Sequence, residues 1–194
     1  MPRTRPKNKS GFTLIEVIIA VAISILVVLL ISSTYFVSQR TYVKADNKAE
    51  ISQNGRVILD RLARELRQTP EIVTTLPADN SYPELIPNEI IFQDGHDLYP
   101  ITYVRYYLNG TNINRQVIAY YFPEAPGVYV HWHSLNPLPP NNPPLMAILE
   151  DWQLGEYVAD LQFWGTKKPT YININLHQNK ENIILNTSVY GRNL

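Results

Sequence analysis

The chain begins with a basic stretch that is followed at once by a long apolar run. Four cations and no acid fall within residues 1–11, and residues 12–37 then contain one charged residue, Glu16, and neither Pro nor Gly. A helix over these 26 residues would span about 39 Å, whereas the hydrocarbon core of a bilayer is about 30 Å thick. The pattern predicts a single membrane-spanning helix at 12–37, with its cationic N-terminus in the cytoplasm.

A secretory signal peptide has a similar charged start and apolar centre. Its apolar core is usually about 7–15 residues long, and a small-x-small cleavage site follows it, which this run lacks. A simple signal anchor leaves Glu16 unexplained, because a carboxylate inside the apolar segment costs about 2.5–3.5 kcal/mol unless it is paired. Basic residues of the leader and a group from another chain are both open as its partner.

The helical period continues through residues 38–69 while the polarity changes. Arg61 and Glu65 form an i,i+4 pair, and Gly55 indicates close packing or a mild flex point. Pro70 ends the helix, because the residue before a proline is pushed out of the α region. Five apolar residues are expected on the buried face, with Ile58 at its edge: Ile51, Leu59, Leu62, Ala63 and Leu66.

Residues 70–194 are predicted as a β-rich globular head. Asn109 and Gly110 are expected at the centre of a type I′ hairpin turn, and the proline-rich residues 136–144 as a surface loop. The predicted fold class is therefore α+β, with a long N-terminal helix packed on an antiparallel β-sheet. The candidate strands are 72–75, 89–93, 101–108, 113–122, 128–132, 158–165, 171–177 and 183–190.

Charge and composition exclude several functions. The 194 residues contain no Cys, which excludes disulfides, thiol catalysis and thiolate metal sites. The chain is neutral overall, but residues 69–194 hold six basic and twelve acidic residues, a formal charge of −6. A nucleic-acid-binding domain normally presents a basic face, so no nucleic-acid partner is expected.

The sequence offers no convincing catalytic or metal site. His131 and His133 flank Trp132 on a predicted strand and would face the same side, but no third ligand is identifiable. Asp94, His96 and Asp97 are interpreted as a polar turn, because the spacing of a calcium loop is missing. No nucleophile, base and orienting residue form a set, so neither an enzyme nor a cofactor is expected.

The junction between the leader and the apolar run resembles a known signal. The run Lys9-Ser10-Gly11-Phe12-Thr13-Leu14-Ile15-Glu16-Val17 resembles the class III signal peptide of type IV prepilins and type II secretion pseudopilins. This resemblance implies recognition of Lys9, Ser10 and Gly11 by a prepilin peptidase, which cuts between Gly11 and Phe12 and so removes residues 1–11. It also implies N-methylation of Phe12 and pairing of Glu16 with the Phe12 amine of an adjacent subunit.

A second, more scattered resemblance concerns the stalk and head. Residues 53–67, Arg115, 158–163 and 187–193 are similar to J-type minor pseudopilins and W-type minor pilins. This implies a subunit of the bacterial inner membrane, with its head extracytoplasmic, that joins the tip of a pseudopilus or pilus. The implied partners are other minor and major pilins or pseudopilins, the inner-membrane assembly platform and membrane lipid.

Two other functions remain open from the sequence. A signal-anchored extracytoplasmic domain would bind a ligand through its β-rich head and would never polymerise. An anchored hydrolase is the second, although no catalytic set supports it.

Overall fold

In the computed structural model, residues 11–96, 99–137, 141–165 and 168–191 are described. The chain divides into two units, Met1–Asp46 and Asn47–Leu194. One helix, α1 (Leu14–Gln68), contributes to both. It begins two residues later than the predicted start at residue 12 and ends before Thr69 and Pro70, as the sequence predicts. The leader, with its cations, lies outside the described residues apart from Gly11.

In the first unit, α1 exposes an almost unbroken apolar surface. Its apolar side chains between Leu14 and Val37 are all solvent-exposed. Several of its hydroxyl groups bond within the helix: Ser24 donates to the carbonyl of Ala20 at 2.8 Å, and Ser33 to that of Leu30 at 2.9 Å. Such internal bonding is what a helix needs in a medium without water.

The second unit contains two antiparallel sheets. The first sheet has the order β1–β2–β3–β4. β5 also pairs with β3, along the edge opposite to β2. The second sheet has the order β6–β7–β8. The strands are β1 (Glu89–Gln93), β2 (Tyr103–Asn109), β3 (Asn112–Phe122), β4 (Ala125–Val130), β5 (Leu145–Gly155), β6 (Val158–Trp164), β7 (Thr170–Gln178) and β8 (Glu181–Val189). The α+β fold class predicted from the sequence is confirmed.

The β2–β3 hairpin forms as predicted, but its turn is displaced by one residue. Asn109 pairs with Asn112, so the two loop residues are Gly110 and Thr111. Gly110 has a φ of 62°, whereas neither Asn109 nor Thr111 has a positive φ. The predicted type I′ turn centred on Asn109 and Gly110 is therefore wrong. A glycine with positive φ at the first central position is the arrangement of a type II′ turn.

One predicted strand, at residues 72–75, does not form, and another, at 128–132, ends earlier than predicted. Residues 72–75 make only an isolated bridge, from Ile72 to Phe92, because the Thr74 hydroxyl accepts the Ile91 amide at 2.8 Å and replaces a ladder bond. The strand predicted at 128–132 is β4, which ends at Val130. A turn follows there, in which the Ser134 amide donates to the His131 carbonyl at 2.9 Å.

The main core lies where α1 meets both sheets. Ile58 is fully buried at its centre while Leu59 is only partly buried, so the predicted order of these two neighbours is reversed. Gly55 is a close-packing position: a Cβ there would lie 2.5 Å from Cδ1 of Leu185 and 2.8 Å from Cδ1 of Leu176. A smaller core on the opposite face of the first sheet contains Ile101, Tyr103 and Ile118.

Candidate processing site and buried polar cluster

The residues at the predicted cleavage point precede the helix. Gly11, Phe12 and Thr13 are exposed and non-helical, and a Cβ built on Gly11 would meet nothing within 4 Å. Phe12 is 88% exposed. This short segment is therefore outside the helix and accessible to solvent, and cleavage between Gly11 and Phe12 stays a prediction. Lys9 and Ser10, the other predicted recognition residues, lie outside the described residues.

Glu16 has a partner within its own chain. Its Oε2 accepts the Thr13 backbone N–H at 2.8 Å and the Thr13 hydroxyl at 3.0 Å, and the Glu16 amide donates back to that hydroxyl at 3.4 Å. These bonds form a capping box, in which an N-terminal Thr and a Glu three residues later satisfy each other's free amides. Glu16 therefore caps the start of α1, and its side chain remains exposed.

The Thr-x-x-Glu spacing of the capping box can be read directly from the sequence. Thr13 is not among the partners expected for Glu16, which are basic residues of the leader and a group from another chain. The cap uses only one carboxylate oxygen of Glu16, Oε2. Within the described residues, no donor bonds to the other oxygen, Oε1, so it can accept from a further donor. Pairing of Glu16 with a second subunit stays a prediction.

In the second unit, the sheet-facing side of α1 carries a buried ion pair. Glu65 and Arg115 are 8% and 7% exposed, and Nε of Arg115 donates to both oxygens of Glu65 at 3.1 Å. The hydroxyl of Tyr106, which is fully buried, donates to Oε2 of Glu65 at 2.8 Å. A carboxylate with this set of donors connects the helix to β2 and β3.

Two further groups enclose this cluster. Arg61 donates to Glu65 at 3.3 Å, which confirms the predicted i,i+4 pair, and its guanidinium lies 4.3 Å from the ring centroid of Trp152. Burial and the negative charge of Glu65 raise the pKa of Tyr106 well above its ordinary value. Burial alone would lower the pKa of Arg115, but its hydrogen bond to Glu65 and the opposite charge raise it. Arg115 therefore stays charged in this cluster and Tyr106 stays neutral.

The contact between Glu65 and Arg115 is not predicted from the sequence. A usable signal was present, because the buried positions of α1 follow spacings of four and three: Ile51, Gly55, Ile58, Leu62 and then Glu65. A charge at the next position of a buried stripe requires a partner. The sequence does not say that this partner is Arg115, 50 residues further along the chain.

The candidate metal ligands that lie within the described residues do not assemble into a site. His131 and His133 lie after the end of β4, in and beside a turn, so their predicted position on a strand is wrong; their ring centroids are 5.5 Å apart. His96 Nδ1 contacts Asp94 at 2.7 Å in the predicted polar turn, and Asp97 lies outside the described residues. Within the described part of the chain, no three His, Asp or Glu side chains are grouped to hold a metal ion.

The comparisons with known proteins agree with the N-terminal geometry. Among the described helices, α1 is long and apolar enough to cross a membrane. No curated protein and no solved structure matches the chain. Residues 6–32 match the family model described as the prokaryotic N-terminal methylation motif. The chain therefore contains a type IV pilin-like prepilin signal, which indicates a membrane-anchored, pilin-type structural subunit that is processed by a prepilin peptidase and assembles with other pilins.

Proposed function

We propose that this protein is a minor pilin or pseudopilin, which joins other subunits at the tip of a type II secretion pseudopilus or type IV pilus. The observation that supports this proposal most directly is the methylation motif at residues 6–32, followed without a break by one long apolar helix. All apolar side chains of that helix between Leu14 and Val37 are exposed, so lipid or neighbouring helices must cover them.

The proposed mechanism is assembly rather than catalysis. The peptidase recognises Lys9, Ser10 and Gly11 and cuts before Phe12, whose new amine is methylated. Residues 12–37 hold the subunit in the bacterial inner membrane, with residues 38–69 and the head of residues 70–194 on the extracytoplasmic side. The assembly platform then moves the helix from lipid into the filament core, where Glu16 meets the Phe12 amine of a neighbouring subunit.

A place at the tip is supported by the character of the head. A major subunit repeats the same contacts with identical copies, and the formal charge of −6 on residues 69–194 disfavours close packing of copies. Proline restricts the backbone, so the proline-rich sequence of residues 136–144 costs less to order against a different partner. The same negative charge supports a partner set without nucleic acid.

Co-expression with a prepilin peptidase tests the first step. With the active enzyme, intact-mass measurement is expected to show a mature chain that begins at Phe12 and is methylated there. An active-site variant of the peptidase should leave the leader in place. A mature chain beginning elsewhere, or cleavage that does not depend on the peptidase, contradicts the proposal.

Substitution of Glu16 separates assembly from simple anchoring. Glu16→Gln keeps an oxygen that accepts from Thr13 but removes the charge, whereas Glu16→Ala removes both. Both variants are expected to insert and be processed normally but to be absent from sheared filaments. If the protein is an anchored domain that does not polymerise, neither variant should have an effect. Incorporation of Glu16→Gln at the wild-type level would show that assembly does not need the charge.

A further inference from the structure

The N-terminal half of β5 leaves apolar side chains in solvent on both faces of the sheet. Four of its first five residues are exposed and large, and we call Leu145–Leu149 the apolar edge: Leu145 (49% exposed), Met146 (46%), Ala147, Ile148 (53%) and Leu149 (42%). Met146 and Ile148 lie on the face of Tyr120 and Ile118, with which they pair, whereas Leu145 and Ala147 lie on the other face. A strand that needed only to close a core would expose apolar groups on one face at most.

The backbone of the apolar edge is also open. β5 pairs with β3 along one side, and no other strand of the described residues pairs with its second side. Alternate residues of an antiparallel edge strand direct their N–H and C=O groups away from the sheet. Isolated apolar edges of this kind are usually blunted by lysine or proline, and Leu145–Leu149 contains neither.

These two features restrict what covers the edge. A helix or a lipid surface would bury the apolar side chains but leave the outward backbone groups without partners, whereas an added strand satisfies both. The apolar edge is followed by Glu150 and Asp151, in a head with a formal charge of −6. A second copy would bring the same charge against it, so charge complementarity favours a different, basic partner strand.

We propose that the apolar edge binds an extended strand of a different subunit of the filament tip, with alternating apolar residues and a basic residue opposite Glu150. The added strand extends the first sheet beyond β5. This inference rests on the proposed function, because it requires neighbouring subunits, but it concerns a surface remote in sequence from the processed N-terminus.

Single-cysteine cross-linking in the assembled filament tests the contact. The chain has no native Cys, so Ile148→Cys in the full-length protein gives one thiol for a maleimide–diazirine cross-linker. Leu85→Cys is the matched control, since Leu85 is equally apolar and 65% exposed, in the separate 3₁₀ turn Pro83–Leu85. We expect Ile148→Cys to cross-link to another pilin-like subunit, at a peptide that is alternately apolar and near a basic residue, and Leu85→Cys not to do so.

A charged substitution in the apolar edge provides a second test of the contact. Adding Met146→Lys to Ile148→Cys is expected to lower the cross-linked yield by about tenfold or more, because a lysine facing an apolar strand must be desolvated. Leu85→Lys in the same background should leave the yield unchanged. A urea-unfolding midpoint equal to that of the wild type shows that the head of each variant folds.

The outcomes separate this inference from the function on which it rests. Cross-linking of Ile148→Cys to a second copy, to lipid, or to nothing while the chain is present in sheared filaments overturns the strand addition and leaves the proposed function intact. A wild-type chain that is processed but never enters filaments overturns both.

Discussion

Removal of one member of the buried Glu65–Arg115 pair is expected to destabilise the head severely. Glu65→Ala leaves Arg115, 7% exposed, without its carboxylate, and leaves the fully buried Tyr106 hydroxyl without an acceptor. An uncompensated buried charge costs about 3–5 kcal/mol, and this is a large share of the total stability of a domain. The exposed Asp60, on the same helix, is the matched control, for which Asp60→Ala should change stability by about 0.5 kcal/mol or less.

The double variant distinguishes the pair from the surrounding packing. Glu65→Leu with Arg115→Met removes both charges and retains apolar volume, so its free energy of unfolding is expected to be much closer to the wild-type value than that of either single variant. Tyr106→Phe removes one hydrogen bond to a carboxylate and should cost about 1.5–3 kcal/mol. Glu65→Ala is therefore expected to have the lowest free energy of unfolding. Tyr106→Phe and the double variant are both expected to be more stable than Glu65→Ala.

Urea unfolding of the full-length chain in detergent micelles measures these differences. The fluorescence of Trp152 is a local reporter, because the guanidinium of Arg61, which also bonds to Glu65, lies 4.3 Å from its ring centroid. With a slope of about 1–3 kcal/mol per molar urea, a loss of about 3–5 kcal/mol shifts the midpoint by at least about 1 M. A shift for Glu65→Ala no larger than that for Asp60→Ala, or single-variant losses that simply add in the double variant, would refute the reasoning.

Three further changes test other parts of the second unit by thermal unfolding. Gly55→Leu should destabilise it by about 1–3 kcal/mol, because even a Cβ there lies 2.5 Å from Leu185, while Gly55→Ala should cost less since alanine favours the helix. Gly110→Ala should cost about 1–2 kcal/mol and Asn109→Ala under about 0.5 kcal/mol; the reverse order would restore the turn centred on Asn109. Hydrogen bonds from Gln116, Asn114 and Tyr107 hold the pKa of Asp151 below its ordinary value, so its contribution is present above about pH 4 and is lost as the pH falls further. Asp151→Asn should therefore melt below the wild type at pH 7, and the gap should narrow at about pH 3; a constant gap would contradict this.

Elements with a local pattern were predictable from the sequence. The start of α1 follows from the basic-to-apolar change and its end from Pro70, and both agree with the structure within two residues. Only the fine orientation failed: Ile58 and Leu59 are neighbours on the helix, and which of them points at the core depends on where the two sheets lie. The predicted centre of the hairpin turn was wrong for a similar reason. Asn-Gly indicates a turn, but the pairing of Asn109 with Asn112 fixes where its centre lies.

β5 could not be predicted because its residues favour another structure. Leu145, Met146, Ala147 and Glu150 are helix formers, and exposed apolar residues on both faces erase the alternation that marks a strand. A bulge also breaks its period, since Ile148 pairs with Ile118 and Glu150 with Val117, leaving Leu149 between them. Its conformation is imposed by β3, a partner about 30 residues earlier, through contacts with no local signature.

The two informative acids of α1 show why one site was predictable and the other was not. Glu16 is bonded to Thr13, three residues away, and remains exposed, so its position within a short motif predicts its role. Glu65 is bonded to residues 41 and 50 positions away and is buried, so its role appears only in the folded head. Removal of these two charges is therefore expected to have different effects. Removing the Glu16 charge leaves every described contact of the head in place and is expected to affect assembly, whereas removing the Glu65 charge breaks the buried ion pair between α1 and β3. A variant of Glu16 that unfolded the head, or one of Glu65 that blocked assembly with the head intact, would show that this division is wrong.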